Sequence, residues 1–567
     1  MPRSALPAEA GTQAAVAVRR LALAIVLAGT VSGVDAGAGE VSLKGRALSN
    51  VTAYIPPQCY TATRDAAGRV HNPCYVCHLN SVPPNFIDDG DLQLSYAFQA
   101  PARVNPWTNL FRDRRDQIAE IGDDTILAYV RTDNYQAPDG GIALARTLAS
   151  VPVAWDVDED GTWGGFVPDC RFDFDAEGFD RRADGRATGW RAFAYYPFPG
   201  TFWPTNGSMG DVAIRLPEMF RRDAGGTEDI AVYKLNLAIV EAVVRRREVS
   251  IDATDERRHG VDLDRDGTLG EARVVAYDWA PLEGREMSYV GAAREAQARG
   301  EVHLAGGLFP EGTEFLHSVR YLDVDDDGGI TLAARMKELR YARKDFWQTY
   351  ADLEEMVMAE IRERRGQPDR PRQVLGDAEH GVANGMGWTF QGFIEDADGD
   401  LRPQSYEESV FCVGCHGGAG VTTDAIFSFA RRFGPEAFQG GWYHWSQRGL
   451  KGVPERRRAD GRGEYSVYLE RNGAGDEFRG NAEVLARFFA ADGTLRPDRA
   501  ALLADDVTVL LHPSRARALA LNKAYKLIVE EQSFALGRDA LPTPAVHVHK
   551  RLDPDQPTGI KEIADGP

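Results

Sequence analysis

A five-residue string that occurs twice constrains this chain more than any other feature. The residues CYVCH occupy positions 74 to 78, and CVGCH occupies positions 412 to 416. Because the chain contains only 6 Cys and 11 His in 567 residues, two copies of Cys-x-x-Cys-His are not expected by chance. The fold therefore has to place both strings where paired thiols and an adjacent imidazole can act.

Three kinds of chemistry use cysteines at this spacing. Covalent haem attachment uses both thiols for thioether bonds and the following histidine as a ligand of the iron. A zinc site needs four ligands that converge on one metal, and the two strings lie much farther apart in sequence than the ligand pairs of zinc modules. A redox dithiol does not require histidine after the second cysteine. The spacing favours haem, with zinc and a dithiol as the alternatives.

The haem interpretation assigns a role to every member of the two strings. Two haem c groups are the predicted cofactors. The predicted attachment residues are Cys74, Cys77, Cys412 and Cys415, and the predicted proximal iron ligands are His78 and His416.

The N-terminus has the pattern of an export signal. Arg19 and Arg20 precede an apolar run at 21 to 28, and the small residues at 29 to 36 end in Val-Asp-Ala, which resembles a cleavage site. We predict a cleaved signal peptide, with an uncleaved anchor as the alternative. No later apolar stretch approaches the length of a transmembrane helix. The expected location is the periplasm, the medium or the bacterial cell surface.

Two further cysteines lie outside the strings. In an oxidising compartment Cys59 and Cys170 could form a disulfide that closes a loop around the first string. Two buried free thiols are the alternative, because pairing does not follow from sequence.

Length and charge limit the class of protein. A chain of 567 residues with 43% hydrophobic content can bury a sizeable core in two or three domains. The formal net charge of −20 argues against nucleic acid and anionic membrane surfaces as partners. The expected partner is a redox protein or a small electron donor or acceptor.

The pattern of apolar residues predicts a mixed α+β protein with an irregular N-terminal haem segment, an α/β central region with acidic loops, and a mainly helical, cytochrome c-like C-terminal domain. Helices are expected at 229–247, 336–364, 424–433, 482–490 and 514–534, and a strand at 190–198. The predicted divisions are a signal peptide at 1–36, a haem-attachment segment at 37–115, a central domain at 116–389, the C-terminal domain at 390–551, and a tail at 552–567.

Three acidic loops of the central region share one pattern. Each has Asp at three alternate positions followed by Gly, an arrangement in which the carboxylates can face one hard cation. Each also has an apolar residue two places after the Gly, as EF-hand loops do, but none has Glu at the twelfth position. We predict a structural calcium site in at least one loop, with polar turns as the alternative. The candidate ligands are Asp156, Asp158, Asp160, Asp262, Asp264, Asp266, Asp323, Asp325 and Asp327.

The ligand on the second face of each iron decides what a haem protein can do, because a strong ligand favours electron transfer and an open face permits binding of small molecules. The candidates are His317, which lies beside an acidic loop, His444, which lies among aromatic residues, and His512, which precedes the last long helix. No catalytic triad or phosphate loop is evident, so catalytic residues are not predicted.

The two strings resemble those of the dihaem c-type cytochromes that bacteria export. The long insertion between them departs from the compact arrangement of dihaem cytochrome c peroxidase-like proteins, so no catalytic residue of that family is carried over. The resemblance implies electron transfer through two haems. The alternatives are a haem oxidoreductase, peroxidase-like or oxygenase-like, with one open iron, and a calcium-stabilised binding module with structural or sensory haems.

Overall fold

A long antiparallel sheet organises the fold in the computed structural model, which describes residues 41–45, 49–200, 204–472 and 479–564. The predicted signal peptide lies outside these residues. The described strands are β1 (Thr63–Arg64), β2 (Val70–His71), β3 (Phe179–Arg181), β4 (Ala187–Phe193), β5 (Ser208–Arg215), β6 (Val249–Asp255), β7 (Glu271–Val275), β8 (Glu314–Val324), β9 (Ile330–Lys344), β10 (Leu375–Asp377), β11 (Gly381–Ala383), β12 (Trp388–Glu395) and β13 (Leu401–Pro403).

Nine of these strands form the main sheet. Their order is β10-β11-β12-β9-β8-β5-β4-β3, and β13 pairs with β12. The centre is the hairpin of β8 and β9, in which Val324 lies opposite Ile330, and β9 also pairs with β12 from Glu338 to Lys344. Two smaller two-stranded sheets are formed by β1 with β2 and by β6 with β7.

Helices cover the sheet and fill the remaining space. The α-helices are α1 (Arg115–Glu120), α2 (Asp123–Arg131), α3 (Ala143–Leu148), α4 (Ile230–Arg245), α5 (Ala292–Ala298), α6 (Tyr350–Gly366), α7 (Tyr406–His416), α8 (Ser428–Arg431), α9 (Glu464–Asn472), α10 (Ala482–Phe488), α11 (Pro497–Ala500), α12 (Thr508–Leu511) and α13 (Arg515–Glu531). Short 3₁₀ helices lie at Pro57–Tyr60, Pro73–Val76, Gly90–Gln93, Ala100–Arg103, Thr108–Phe111, Glu218–Arg221, Glu256–Arg258, Pro281–Glu283, Phe438–Gly441, Ala501–Ala504 and Phe534–Leu536.

The start of α7, the helix that carries the second string, is set by local chemistry. Ser405 is its N-cap and accepts a hydrogen bond from the backbone N–H of Glu408, while the Glu408 carboxylate accepts one from the backbone N–H of Ser405. This reciprocal pair satisfies two backbone donors that the first turn leaves free. Arg402 of β13 donates to both oxygens of the same carboxylate at 2.9 Å. The helix is thereby fixed to the sheet at its first turn.

The last described residues pack against the N-terminal segment. Thr61 pairs with Val548, Ser95 with Pro557, and Val104 with Arg551, and Leu552 is 1% exposed. Residues 552–564 therefore do not form the free tail that the sequence predicts. Their hydrophobic and backbone contacts are made by residues far away in sequence, which local polarity does not reveal.

The fold class is confirmed as mixed α+β, because helices and antiparallel strands both contribute throughout the described chain. The prediction of helix from 336 is wrong, since the residues up to Lys344 belong to β9 and the helix begins at Tyr350. The described residues, from 41 to 564, belong to one compact unit. The second string packs on strands of the main sheet rather than within a separate helical domain.

Candidate functional site

The two strings approach each other in the folded chain. The first lies on the 3₁₀ helix Pro73–Val76 and the second in the last turns of α7. The backbone N–H of Val421, just after the second string, donates to the carbonyl of Cys77 at 3.1 Å. The Asn85 side chain, just after the first string, donates to the carbonyl of Ala419 at 3.0 Å. The segment after the second string therefore binds both the first string and the segment that follows it.

Two glycines permit this close approach. A Cβ atom on Gly414 would lie 1.9 Å from the carbonyl oxygen of Tyr54, and one on Gly420 would lie 2.2 Å from that of Leu79. Both contacts involve backbone atoms, which cannot move aside as a flexible side chain can. The second string and the loop after it thus lie directly against the N-terminal segment.

A space of about 310 Å³, which we call the sheet cavity, lies between the second string and the main sheet. Parts of both strings line it. Its volume is within the range of small-molecule sites, about 300–1,000 Å³. Aromatic side chains form much of its wall. The string residues that line it are Cys77, His78, Cys412, Gly414, Cys415 and His416.

A second space of about 560 Å³, which we call the helix cavity, lies between the first string and α6. Cys74, Cys77 and His78 form part of its wall, and Met356 and Glu360 of α6 form another part. Cys77, His78 and Gly414 line both cavities. The two spaces therefore share a wall to which both strings contribute, together with the N-terminal residues Pro56, Gln58 and Cys59.

The His78 ring is held through one nitrogen. Its Nδ1 lies 2.9 Å from a carboxylate oxygen of Asp89, which is 4% exposed. Nδ1 is thereby engaged by Asp89, and Nε2 lies on the side of the ring away from this carboxylate.

The His416 ring is held in the same way by a backbone group. Its Nδ1 donates to the carbonyl of Ala425 at 2.8 Å, and Phe390 stacks on the ring with centroids 4.9 Å apart. Burial lowers the pKa of His416 to about 4, and the nearby Arg340 guanidinium acts in the same direction. Metal-ligating histidines have this arrangement, in which an acceptor at one nitrogen orients the neutral ring and leaves the other nitrogen for the metal.

The loop that holds His416 is itself anchored by a buried ion pair. Asp424 precedes Ala425, and its two carboxylate oxygens lie 2.7 and 2.9 Å from Nζ of Lys344. Both side chains are fully buried. The backbone N–H of Phe309 adds a third hydrogen bond to Asp424, at 3.0 Å. Lys344 is therefore a positioning residue for the carbonyl that orients His416.

The three predicted distal histidines differ in position. His317, on β8, lines the sheet cavity together with His416, and its pKa is lowered to about 3 by burial and, secondarily, by Arg340. His444 does not line either cavity, and both of its ring nitrogens are engaged, Nδ1 by Ser446 and Nε2 by Asp211. His512, at the end of α12, also lies outside both cavities. The geometry keeps His317 as a candidate and removes His444 and His512.

Cys59 and Cys170 are not paired. Cys59 lines both cavities beside the strings, whereas Cys170 is buried in a separate core with Trp190 and Leu316. All six cysteines are free thiols. Burial raises the pKa of the thiols in both strings, and that of Cys415 is about 11. In the described chain the cysteines do not gather their sulfur atoms as a zinc site would require.

Two of the three acidic loops bring carboxylates together. The side-chain oxygens of Asp156, Asp158 and Asp160 lie within 4.8 Å of one another, and so do those of Glu256, Asp262 and Asp264. In the second loop Glu256 takes the place in the group that the sequence assigns to Asp266. The third loop does not converge in this way, because Asp323 pairs with Arg131 at 2.9 Å.

A buried glutamate from outside the pattern supports each converging loop. Glu379 accepts hydrogen bonds from the backbone N–H groups of Val157 and Gly164, both at 2.7 Å. Glu256 accepts from the second and ninth positions of its own loop, Leu263 and Gly270. The same two loop positions are thus held in both cases.

Comparison with known proteins decides the family. Residues 43–506 match the model of a family described as "-like lipoprotein". The chain belongs to this lipoprotein-like family. A protein of Aquifex aeolicus (strain VF5) named an uncharacterized lipoprotein is 28% identical over 600 residues, which cover 96% of this chain and 97% of the relative. No solved structure matches the chain.

This membership corrects the family and function predicted from the strings. The prediction of a dihaem c-type cytochrome is wrong, because the match over most of the chain is to a lipoprotein family and not to a cytochrome. The predicted roles as electron carrier, as haem oxidoreductase and as calcium-stabilised binding module, and the redox partner that they imply, lose their support with it. Two five-residue strings do not determine the fold of the several hundred residues around them.

The coarser part of the predicted location agrees with the comparison, since membership in a lipoprotein family fits an exported protein. None of the described helices combines the length and the apolar character that a bilayer span needs.

Several residues of the site carry no signal in the sequence. Asp89 and Ala425 orient the two string histidines, but each lies at a different sequence separation from the histidine that it orients. Arg340 and Glu338 of β9 reach the sheet cavity, yet they lie within an ordinary alternation of charged and apolar residues. Only the His and Cys residues could be found by pattern.

Proposed function

We propose that this exported protein binds two haem groups covalently, one at each Cys-x-x-Cys-His string. The observation that carries the proposal is the shared geometry of the two histidines. In each string the Nδ1 atom is fixed by an acceptor, at 2.9 Å for His78 and 2.8 Å for His416, while the thiols of the same string line the same cavity. A lone string could be accidental, but two strings whose histidines are both held by an acceptor at Nδ1 are not.

The surroundings of the strings fit a large, flat, mostly apolar group. Phe390 and Phe427 pack around the His416 ring, and Phe193, Phe315 and Phe411 also line the sheet cavity. Tyr96 and Phe98 line the helix cavity. When bound, haem would supply an iron that takes neutral imidazole as an axial ligand.

Covalent attachment can be tested on the whole protein. We would produce the chain in a host with a haem-attachment system and measure its intact mass and its pyridine haemochrome. We expect two haems in the wild-type protein and one in each of the double variants Cys74→Ser/Cys77→Ser and Cys412→Ser/Cys415→Ser. Cys170→Ala is the matched control, because this buried cysteine lies away from both cavities, and it should retain two. A wild-type mass without added haem would contradict the proposal.

We propose that His317 would help to hold the iron of a haem bound at the His416 site. It is the one predicted distal candidate that shares a cavity with His416, and burial keeps its imidazole neutral, as a metal ligand must be. We expect His317→Ala to change the spin state seen by electron paramagnetic resonance without lowering the haem count. An unchanged spectrum would remove His317 from the site.

We also propose that calcium binds the first two acidic loops, in a structural role. Oxygen ligands at alternate positions suit this cation, and the loops are held by Glu379 and Glu256. Calorimetric titration should give two sites per chain. Asp158→Asn should remove one, whereas Asp325→Asn, in the loop that does not converge, should remove none. Absence of heat on adding calcium would contradict this assignment.

The finer location is proposed to be the periplasm or the cell surface, after cleavage near Gly37. N-terminal sequencing of protein recovered from cell fractions would give both results, and a chain that retains residues 1–36 would contradict cleavage.

A further inference from the structure

The wall of the sheet cavity is cationic although the protein is acidic. The chain has a formal charge of −20, but five cations line this cavity against two carboxylates. The cations are Lys337, Arg340, Arg431, Arg479 and Arg538, and the carboxylates are Glu338 and Asp539. Charges in such a place lose hydration, and a cation without a partner there is costly. Glu464, outside the lining, pairs with Arg431, and the cations still exceed the carboxylates by two, an excess that an anionic ligand would balance.

Arg431 and Arg479 already have carboxylate partners. Arg431 donates to both oxygens of Glu464 at 2.8 and 2.9 Å, and Arg479 donates to Asp539 at 2.9 Å. Neither is therefore the natural receptor for a further anion.

Arg340 is bound differently. Its Nε donates to Glu338 at 2.9 Å, and neither Nη atom donates a hydrogen bond to any residue that the structure describes. The side chain is 28% exposed, and it lines the sheet cavity. Arginine offers its Nη donors in a planar fork that matches a carboxylate. Arg340 thus presents an oriented fork that lacks its acceptor.

Neighbouring groups hold this fork in place and add to its charge. The Glu338 oxygen that accepts from Arg340, Oε2, also accepts from Arg538 at 2.8 Å and from Gln404 at 3.2 Å. Lys337, 1% exposed, directs its Nζ to the carbonyl of Gly207 at 2.8 Å and to Ser208 at 3.0 Å. Burial lowers the pKa of this amine to about 7, and an anion in the cavity would favour its charged form.

We propose that Arg340 is the centre of a carboxylate receptor in the sheet cavity, beside His317 and the second string. The ligand is a carboxylate group, carried either by a tetrapyrrole attached at Cys412 and Cys415 or by a free organic acid. The first source rests on the proposed function, whereas the second does not.

Titration with sodium succinate at constant ionic strength distinguishes the two sources. Succinate presents two carboxylates, as a tetrapyrrole with two propionates does. It would be added to wild-type protein made without a haem-attachment system and to protein made with one. The variants are Arg340→Gln and, as matched control, Arg343→Gln, on the same strand, whose side chain is 56% exposed and which lies 3.6 Å from Asp345.

We expect succinate to bind the unloaded wild-type chain, with a Kd raised at least tenfold by Arg340→Gln and changed less than twofold by Arg343→Gln. Arg340→Lys should give an intermediate Kd, because lysine keeps the charge but loses the fork. Circular dichroism would confirm that the variants are folded. Loss of succinate binding after haem attachment would identify the propionates as the natural ligand, and persistence would identify a free acid.

Succinate binding that does not depend on Arg340 in the unloaded chain, or absence of binding there, would overturn the receptor. Failure of the proposed haem attachment would instead be seen in the protein mass. It would leave the succinate titration of the unloaded chain unaffected, so the two failures cannot be confused.

Discussion

Gly414, inside the second string, has no room for a side chain. A Cβ atom there would lie 1.9 Å from the carbonyl oxygen of Tyr54, so Gly414→Ala should force the two segments apart. We expect a loss of about 1–3 kcal/mol in the free energy of unfolding, the usual cost of overpacking, measured by urea denaturation. Gly366→Ala is the control, since nothing lies within 4 Å of a Cβ at that helical position. Equal stability of the two variants would contradict the close packing.

His512 should make the protein sensitive to acid. Burial lowers its pKa to about 4 in the folded chain, from 6.5 in the unfolded chain. The unfolded state therefore binds more protons between these values, so stability is fully present above pH 6.5 and is lost as the pH falls toward 4.

We expect this histidine to contribute about 2–3 kcal/mol to the difference in unfolding free energy between pH 7.5 and pH 4.5. His512→Gln should reduce the pH dependence by that amount in urea denaturation at the two pH values. A variant with the same pH dependence as the wild type would show that the imidazole is not held neutral.

At the residue scale, the sequence identifies only those groups whose chemistry depends on fixed spacing. The cysteines and histidines of the strings meet this condition, and the structure brings them together. Asp89, Glu256 and Arg340 make their contacts at sequence separations that follow no common spacing, so no local pattern distinguishes them from surface charges. His444 has the aromatic surroundings that suggested a ligand, but Asp211 engages its Nε2.

The C-terminal segment is expected to stabilise the first string. The buried Gln93 side chain donates to the carbonyl of His78 at 2.7 Å and to that of Ala564 at 2.9 Å, and accepts from the Ala564 backbone N–H at 2.7 Å. A chain that stops after Arg551 would leave two groups of this amide without partners, at about 1–3 kcal/mol each.

Limited proteolysis and urea denaturation of this truncated chain would measure the effect. We expect a lower unfolding midpoint and faster cleavage around the first string. A chain that stops after Ala564 is the control, since it keeps the hydrogen bonds to Gln93. Identical behaviour of the two truncated chains would show that residues 552–564 do not support the string.

At the element scale, long amphipathic helices were predictable. The helix expected at 229–247 is α4, Ile230–Arg245, and the one expected at 514–534 is α13, Arg515–Glu531. The error at 336–344 arises because these residues are apolar at spacings that fit a helix and also a buried strand. These residues form a strand because they pair with β8 and β12. The local sequence does not reveal those pairing partners.

For the whole molecule we expect one cooperative unfolding transition. The sequence predicts several domains, but the described residues belong to one compact unit, in which the segment after the second string is hydrogen-bonded to the first string and to the segment that follows it. Tryptophan fluorescence and far-ultraviolet circular dichroism should therefore give coincident urea curves. Two separate transitions would contradict this expectation and would support independent domains.

The fold class could be predicted because it depends on composition and periodicity over the entire chain. The family could not, because the two strings are short and can be hosted by unrelated folds, in the same way that other sites recur on different scaffolds. Here they are hosted by a nine-stranded antiparallel sheet in a lipoprotein-like protein.

The pairing of Thr61 with Val548 and of Ser95 with Pro557 has a consequence for the order of events during export. A polypeptide that crosses a membrane from its N-terminus delivers residues 61 and 95 long before residues 548 and 557. In a chain exported in this direction, the pairs that join the first string's segment to the C-terminal segment form only after nearly all of the chain has crossed. A covalent change to Cys74 and Cys77 has the interval before that pairing in which to occur.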